Sequence, residues 1–240
     1  MCPDHRHHRG AHPEDPRLFA PERLDSLRTA TADLAWLLTH GYAMTSSLKL
    51  VGDRYMLTER QRTAISRASC SDQAKEARTQ KALPWESLKG EEIAIDGFNL
   101  LITLEAALGH GLIMHCRDDC YRDLASMHGS YRAVQETEPA LEIIGNALEA
   151  IAPKSVLWLL DSPVSNSGRI AGELRTLARS RNWPWDVELV FNPDAVLRVS
   201  GNIVISSDSV ILDDAVRWVN AAAHLIHNRI PNAWLTDFRS

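Results

Sequence analysis

Three short apolar runs in the C-terminal two-thirds of the chain each end in an aspartate. They are Glu92-Ile93-Ala94-Ile95-Asp96, Ser155-Val156-Leu157-Trp158-Leu159-Leu160-Asp161 and Asn202-Ile203-Val204-Ile205-Ser206-Ser207-Asp208. Runs of this length and β-branched content read as buried strands, and each is followed by a segment that can be helical. Strands alternating with helices imply a parallel sheet covered on both faces. In such a sheet all strand C-termini lie along one edge, where ligands bind. Asp96, Asp161 and Asp208 are therefore expected to converge on one crevice. Unpartnered carboxylates repel each other unless a divalent cation or a basic ligand neutralises them, so a metal site is expected. Oxygen-only donors favour Mg2+ or Mn2+.

The 240 residues suffice for one large domain or two small ones. We expect an α/β class protein with a doubly wound, mainly parallel sheet over 91–240. A disordered tail (1–16), a small all-α domain (17–80) and a linker (81–90) are expected to precede it. The tail carries His5, His7, His8 and His12 without fixed geometry. In the helical part, Leu24, Leu27, Leu34 and Leu38 form one stripe after Pro21, and Gly41 closes it. A second helix starts near Ser46 or Ser47 with Leu48, Val51 and Tyr55 on one face. A third starts at Thr58, where Gln61 completes a capping box. Beyond residue 91 we expect helices over 99–108, 118–131, 138–151, 169–181 and 212–228, and strands at 111–115 and 185–191.

Charge is unevenly distributed. Residues 41–90 hold 9 Lys/Arg against 5 Asp/Glu, whereas 91–240 hold 12 against 20, within a net charge of −5. The acidic part needs a bound cation or the basic helical segment to hold a polyanion. No apolar run is long enough to span a membrane. Four sparse cysteines and a start without an apolar leader fit a cytoplasmic protein.

Around the three acids, Asn99 is placed to fix Asp96, and Gly97 permits a sharp exit from the strand. Asp213 or Asp214, about one turn beyond Asp208, is a candidate to share its ion; a helix-dipole role fits either as well. Arg122 and Arg132 are candidate phosphate ligands, with Tyr121 or Tyr131 stacking on a base. Arg169, Arg175 and Arg179 on the 169–181 helix can meet a nucleic-acid backbone or simply solvate a face. Cys116, Cys120 and His115 form only a weak zinc pattern. The loop 162–168 lacks the Gly/Lys spacing of an ATP-binding P-loop.

Asp96 with Asn99 in an Ile-Asp-Gly-x-Asn strand end, Asp161, and Ser207-Asp208 together resemble the PIN-like nuclease superfamily, in particular its NYN branch. The resemblance spans roughly residues 91–230. It implies a twisted parallel sheet, acids surrounding metal ions, and metal-dependent endoribonuclease activity on RNA. That branch often carries a second acid two residues after the Ser-Asp aspartate; Val210 occupies this place. Asp213 or Asp214 is a candidate replacement. Asp118, Asp119 and Asp123 are candidates for the acid usual on the intervening segment. In the helical part, Gly41-Tyr42, Ser47-Leu48, Leu50-Val51-Gly52-Asp53-Arg54-Tyr55 and Gln61-Arg62 look like a bacterial and archaeal family of unassigned function that couples a helical front to a PIN-like rear. The resulting expectation is an RNA hydrolase with Asp96, Asp161, Asp208 and Asn99 as catalytic residues, and Asp96, Asp161, Asp208 and Asp213 as metal ligands. Arg122, Arg132, Arg169 and Arg175 are its expected substrate contacts. The alternative is a catalytically weakened RNA-binding or regulatory protein, motivated by Val210. An aspartyl-phosphate phosphatase ranks last, because Phe98 stands where its second acid would be.

Overall fold

A computed structural model describes residues 8–125 and 131–239. The N-terminal part is helical: α1 (Asp15–Leu18), α2 (Pro21–Thr39), α3 (Met44–Arg54), α4 (Glu59–Ala68) and α5 (Asp72–Lys81). Pro21 opens α2 without sacrificing a hydrogen bond. Gly41, just past its end, adopts the left-handed φ of 82° that favours glycine. The expected capping box of α4 is present. The Thr58 hydroxyl accepts from the Gln61 N–H (3.3 Å), and the Gln61 side-chain oxygen accepts from the Thr58 N–H (3.1 Å).

The remaining elements alternate. They are β1 (Ala82–Leu83), a 3-10 turn (Trp85–Leu88), β2 (Glu92–Asp96), α6 (Gly97–Leu108), β3 (Leu112–His115), β4 (Tyr121–Asp123), α7 (Thr137–Ile151), β5 (Ser155–Asp161) and α8 (Ser167–Arg181). Then follow β6 (Trp185–Val190), α9 (Pro193–Arg198), β7 (Ile203–Ile205), α10 (Ser209–Asp214), β8 (Trp218–Val219), α11 (Ala221–Arg229) and β9 (Trp234–Asp237). A six-stranded, wholly parallel sheet has the order β1-β8-β7-β2-β5-β6. From β2 the chain moves to β5 and β6 on one side, then returns to β7 and β8 on the other. The reversal of direction falls between β7 and β2, and it opens a crevice beyond their C-terminal ends.

Alternation along β2 explains the double cover. Ile93 and Ile95 belong to the apolar cluster that includes α6, α7, α8 and α11, while Ala94 belongs to the cluster on the opposite face with Ile211 and Leu212 of α10. The structure is thus an α/β fold with a parallel sheet, preceded by a helical region.

Several element expectations change. Residues 118–131 do not form the expected helix. Within the described part, 121–123 form β4, antiparallel to β3, and residues 126–130 of that expectation lie outside the described residues. The expected long helix over 212–228 is divided into α10, β8 and α11, because Trp218 and Val219 pair with Val204 and Ile205 and extend the sheet. The region read as a linker carries β1, which pairs with β8 at the sheet edge. Helix α9 and strand β9 are not among the expected elements, whereas α5 lies in a stretch expected to hold some helix. Residues 1–7 of the expected disordered tail lie outside the described residues. Downstream of them, Arg9 is fastened inside the protein, its Nε donating to the buried Glu105 at 2.7 Å.

A second sheet, β4-β3-β9, joins the two parts of the chain. One apolar cluster contains Leu27, Leu34, Ile65 and Ala68 from the helices and Leu112, Met114 and Phe238 from this small sheet. The helical region therefore has no complete core of its own. Ile65 is fully buried at this seam. Ile65→Ala is expected to destabilise the whole chain by about 3 kcal/mol through the lost transfer energy and the residual cavity. Urea unfolding followed by both tryptophan fluorescence and circular dichroism should show a single shifted transition; an early transition confined to the helical signal would contradict the shared core.

Candidate functional site

Strand register builds the site. Ile95 of β2 stands opposite Ile205 of β7, so the next residues, Asp96 and Ser206, are neighbours at the strand ends. The Ser206 hydroxyl donates to Asp96 Oδ2 at 2.8 Å and accepts the Asp208 N–H at 3.0 Å. Asp208 caps α10, its Oδ1 accepting from the Val210 N–H at 2.7 Å. On the other side of β2, β5 runs two residues further and ends in Asp161. Asp194, in the first turn of α9, supplies a fourth carboxylate. Asp96, Asp161, Asp194 and Asp208 all line one open cleft of about 380 Å³. The three strand-end acids, spread over more than a hundred residues of the chain, are thus brought together at one rim.

Gly97 serves close packing rather than a sharp turn. It is already the first residue of α6. A Cβ there would stand 2.5 Å from Leu160 Cδ2 and 2.9 Å from the Leu159 carbonyl oxygen. Only glycine lets α6 start directly against β5 and leave Asp96 at the rim. Asn99 does not touch Asp96. Its Oδ1 accepts both the N–H and the hydroxyl of Ser207, each at 2.9 Å, and so holds the 206–208 loop. Ser206 performs the orienting role that was expected of Asn99.

The electrostatics follow from burial and mutual repulsion. Asp96 is only 7% exposed. Burial, then the charges of Asp208, Asp194 and Asp161, push its carboxyl up to about 7 in spite of the Ser206 hydrogen bond. Burial and Asp194 raise Asp161, and burial and Asp208 raise Asp194. Two nearby cations are committed elsewhere. Arg122 lines the cleft, but its guanidinium donates to the Ser207 carbonyl (2.7 Å), to Asp118 (2.8 and 2.7 Å) and to the Arg67 carbonyl (3.2 Å). Arg198 pairs with Asp214.

The other candidates are sorted by position. Asp213 faces away from the cleft and accepts from Arg78 Nε at 2.7 Å. Asp118 is buried, and although burial raises a carboxyl, Arg122 and Arg78 hold it well below the usual range. Asp119 sits in an exposed turn beside Arg239. Asp123 does reach the cleft wall, its Oδ2 accepting from the Thr103 hydroxyl at 2.9 Å. Arg132 and Arg169 flank a separate cavity beside Tyr131, Arg169 pairs with Glu173, and Arg175 donates to the Val187 carbonyl. None of these three lines the acidic cleft. Tyr131 is buried with its hydroxyl on Glu105, so it offers no stacking face. The thiols of Cys116 and Cys120 are buried and raised, Cys116 to about 11, which disfavours the thiolate that zinc needs.

Asp194 and Ser206 were not singled out from the sequence. Asp194 had a signal: Asn192-Pro193-Asp194 follows the strand expected at 185–191, the same strand-then-acid grammar as the other three. As a donor set, four carboxylates suit a hard cation that retains water in its shell. Among the described residues, no three His, Cys, Asp or Glu side chains are grouped closely enough to hold an ion by themselves.

Comparison with known proteins adds relatives without an assigned activity. Residues 85–224 match a family described as a domain of unknown function (DUF5616), and residues 26–81 match one described as a protein of unknown function (DUF434). The "Uncharacterized protein MJ0935" of Methanocaldococcus jannaschii is 32% identical over 187 residues, covering 78% of this chain and 89% of that protein. No solved structure matches. No helix among the described residues is long and apolar enough to cross a membrane.

The raised Asp96 carboxyl has a consequence for stability. Its folded value, about 7, lies above the ordinary 3.8, so the folded state holds this proton more tightly than the unfolded state. Below about pH 4 both states are protonated and there is no penalty; the penalty grows as pH rises and is complete above about pH 7. In the presence of a chelator, Asp96→Asn is expected to be more stable than the wild type at pH 8 by roughly 2–4 kcal/mol. The gain should vanish toward pH 4 in urea titrations, and a pH-independent difference would refute the assignment.

Proposed function

The chain belongs to the DUF5616 family, and because the matched span carries all four cleft acids, we propose that it is a divalent-cation-dependent ribonuclease of PIN-like, NYN-type character. The convergence of Asp96, Asp161, Asp194 and Asp208 on one cleft, none of them in a salt bridge among the described residues, is the observation that supports this reading. In this reading Asp96, Asp161, Asp194 and Asp208 hold Mg2+ or Mn2+. The ion supplies charge neutralisation on the phosphate and an acidified water at neutral pH. Asp194 takes the place expected of Asp213, which Arg78 already engages. It also supplies a fourth acid where Val210, 52% exposed, offers none.

The chain's own groups have distinct tasks. Ser206 binds Asp96 Oδ2 and thereby leaves Oδ1 for the cleft. The Val210 N–H likewise occupies Asp208 Oδ1 and leaves Oδ2. Asn99 locks Ser207, so the two acids on either side of the switch point keep their separation. Phe98 and Ile102 form an apolar part of the wall and limit water near the acids. Burial and the neighbouring Asp194 raise the Asp161 carboxyl, so its charge is among those a bound cation would stabilise. A cation held at Asp96 would have to compete with the proton on its raised carboxyl, so the affinity of the full chain for Mn2+ is expected to increase from pH 6 to pH 8.

The test uses the full chain, labelled single-stranded RNA and added Mn2+ or Mg2+. Cleavage is expected, is abolished by chelation, and falls at least about 100-fold in Asp96→Asn, Asp161→Asn or Asp208→Asn. Metal-dependent cleavage that persists unchanged in Asp96→Asn overturns the reading. Tight RNA binding without turnover in Mn2+ selects the alternative, an RNA-binding or regulatory protein built on the same cleft.

A further inference from the structure

The acidic cleft has one wall that does not come from the α/β part of the chain. Arg67, in the last turn of α4, lines it together with the acids. Its Nη1 donates to the carbonyls of Asp123 (2.8 Å) and Ala125 (3.3 Å), which fixes the stem of the side chain along the rim. The Asp123 carboxylate is 3.8 Å from the same nitrogen, but it is already occupied by the Thr103 hydroxyl and the Ala125 N–H. Among the described residues, Nε and Nη2 of Arg67 meet no acceptor. The side chain is 38% exposed and borders the cleft, which puts the guanidinium within reach of a ligand there.

Arg122, the other cation of the cleft, differs in kind. It is buried and uses Nε, Nη1 and Nη2 on Asp118, Ser207 and Arg67 itself. It holds Arg67 from behind by donating to its backbone carbonyl. The cleft therefore has, beside its acids, a cation held in place by main-chain contacts of one nitrogen, with the Nε–Nη2 edge making no hydrogen bond among the described residues. A phosphodiester with one non-bridging oxygen on a cation that the carboxylates would hold has its second non-bridging oxygen facing outward, and a planar guanidinium fork suits that oxygen.

We propose that Arg67 is a phosphate-binding residue of the cleft, supplied by the helical region to hold the backbone of a single-stranded RNA. The inference rests on the ribonuclease reading for the identity of the substrate, but not for its geometry. It gives the helical region a direct part in the site and assigns substrate contact to a residue other than Arg132, Arg169 and Arg175.

The experiment measures binding of a labelled short oligoribonucleotide to the full chain across a salt series, with Ca2+ in place of Mn2+ to separate binding from turnover. It then measures cleavage kinetics in Mn2+. In Arg67→Gln, affinity should fall about tenfold, and the slope of log affinity against log salt should flatten by about one. KM should rise correspondingly while kcat changes little. Arg67→Lys should retain the wild-type salt slope, which a purely structural role for the main-chain clamp would not predict. Wild-type slope and KM in a folded Arg67→Gln would overturn the proposal while leaving the ribonuclease reading intact. Arg67-dependent binding without any cleavage would overturn the ribonuclease reading and uphold this one. Absence of oligoribonucleotide binding by the wild type would overturn both.

Discussion

One buried carboxylate, Asp118, ties the three structural layers together. Arg78 from the helical region donates to its Oδ2 at 2.6 Å, and Arg122 from the small sheet grips both of its oxygens. Arg122 reaches on to the carbonyls of Ser207 and Arg67, and Arg78 reaches on to Asp213. The helical region, the small sheet, the Ser207 loop and α10 therefore meet at a single ionic node. An isolated charge at such depth would cost several kcal/mol, and the pairing only compensates when every donor is used. Here Arg122 is fully committed, and arginine's planar fork makes this geometry available where lysine would not. The Ser207 loop that separates Asp96 from Asp208 is consequently held from both sides, by Asn99 and by Arg122.

That rigidity makes the cleft tolerable. Four carboxylates at one rim repel, and burial adds to the cost at Asp96. The fold offsets the cost in two ways. It lets Asp96 keep its proton near neutral pH, and it starts α6 immediately beyond Asp96, so that the positive end of a twelve-residue helix lies next to the acid. A less constrained loop would relax by moving Asp208 away. The site stores repulsion because the register of β2 with β7 and the bonds to Ser206 and Ser207 prevent that movement.

The parallel sheet and three of its four rim acids were legible because a buried strand announces itself by composition and its last residue by polarity. Asp96, Asp161 and Asp208 needed no knowledge of the loops between them. Asp194 was harder, since its strand, β6, alternates exposed and buried residues and looks less like a core strand. Residues 117–123 were misread for a specific reason. Arg122 and Asp123 are polar and yet buried, because the charges find each other, and no periodicity in a single sequence reveals a salt bridge. The break between α10 and α11 carries no glycine or proline, so only pairing of Trp218 with Val204 marks it. Asp213 was placed by helical spacing from Asp208, but spacing gives the turn of the helix and not the partner on its outer side, which is Arg78.

The division of the chain into a helical stretch and an α/β stretch follows sequence similarity more closely than it follows packing. The cluster of Leu27, Leu34 and Ile65 is completed by Leu112, Met114 and Phe238, and β9 near the C-terminus is the edge strand that brings Phe238 to it. A helical stretch folded without that sheet would expose this apolar face to water, at about 25 cal/mol per Å² of surface left uncovered. The α/β stretch alone would lose Arg78 and leave Asp118 with Arg122 as its remaining partner. The second loss falls at the node whose Arg122 also holds the Ser207 loop. Coupling between the two stretches is thus built into the same contacts that shape the cleft, and any activity of the cleft depends on the helical region even before a substrate is bound.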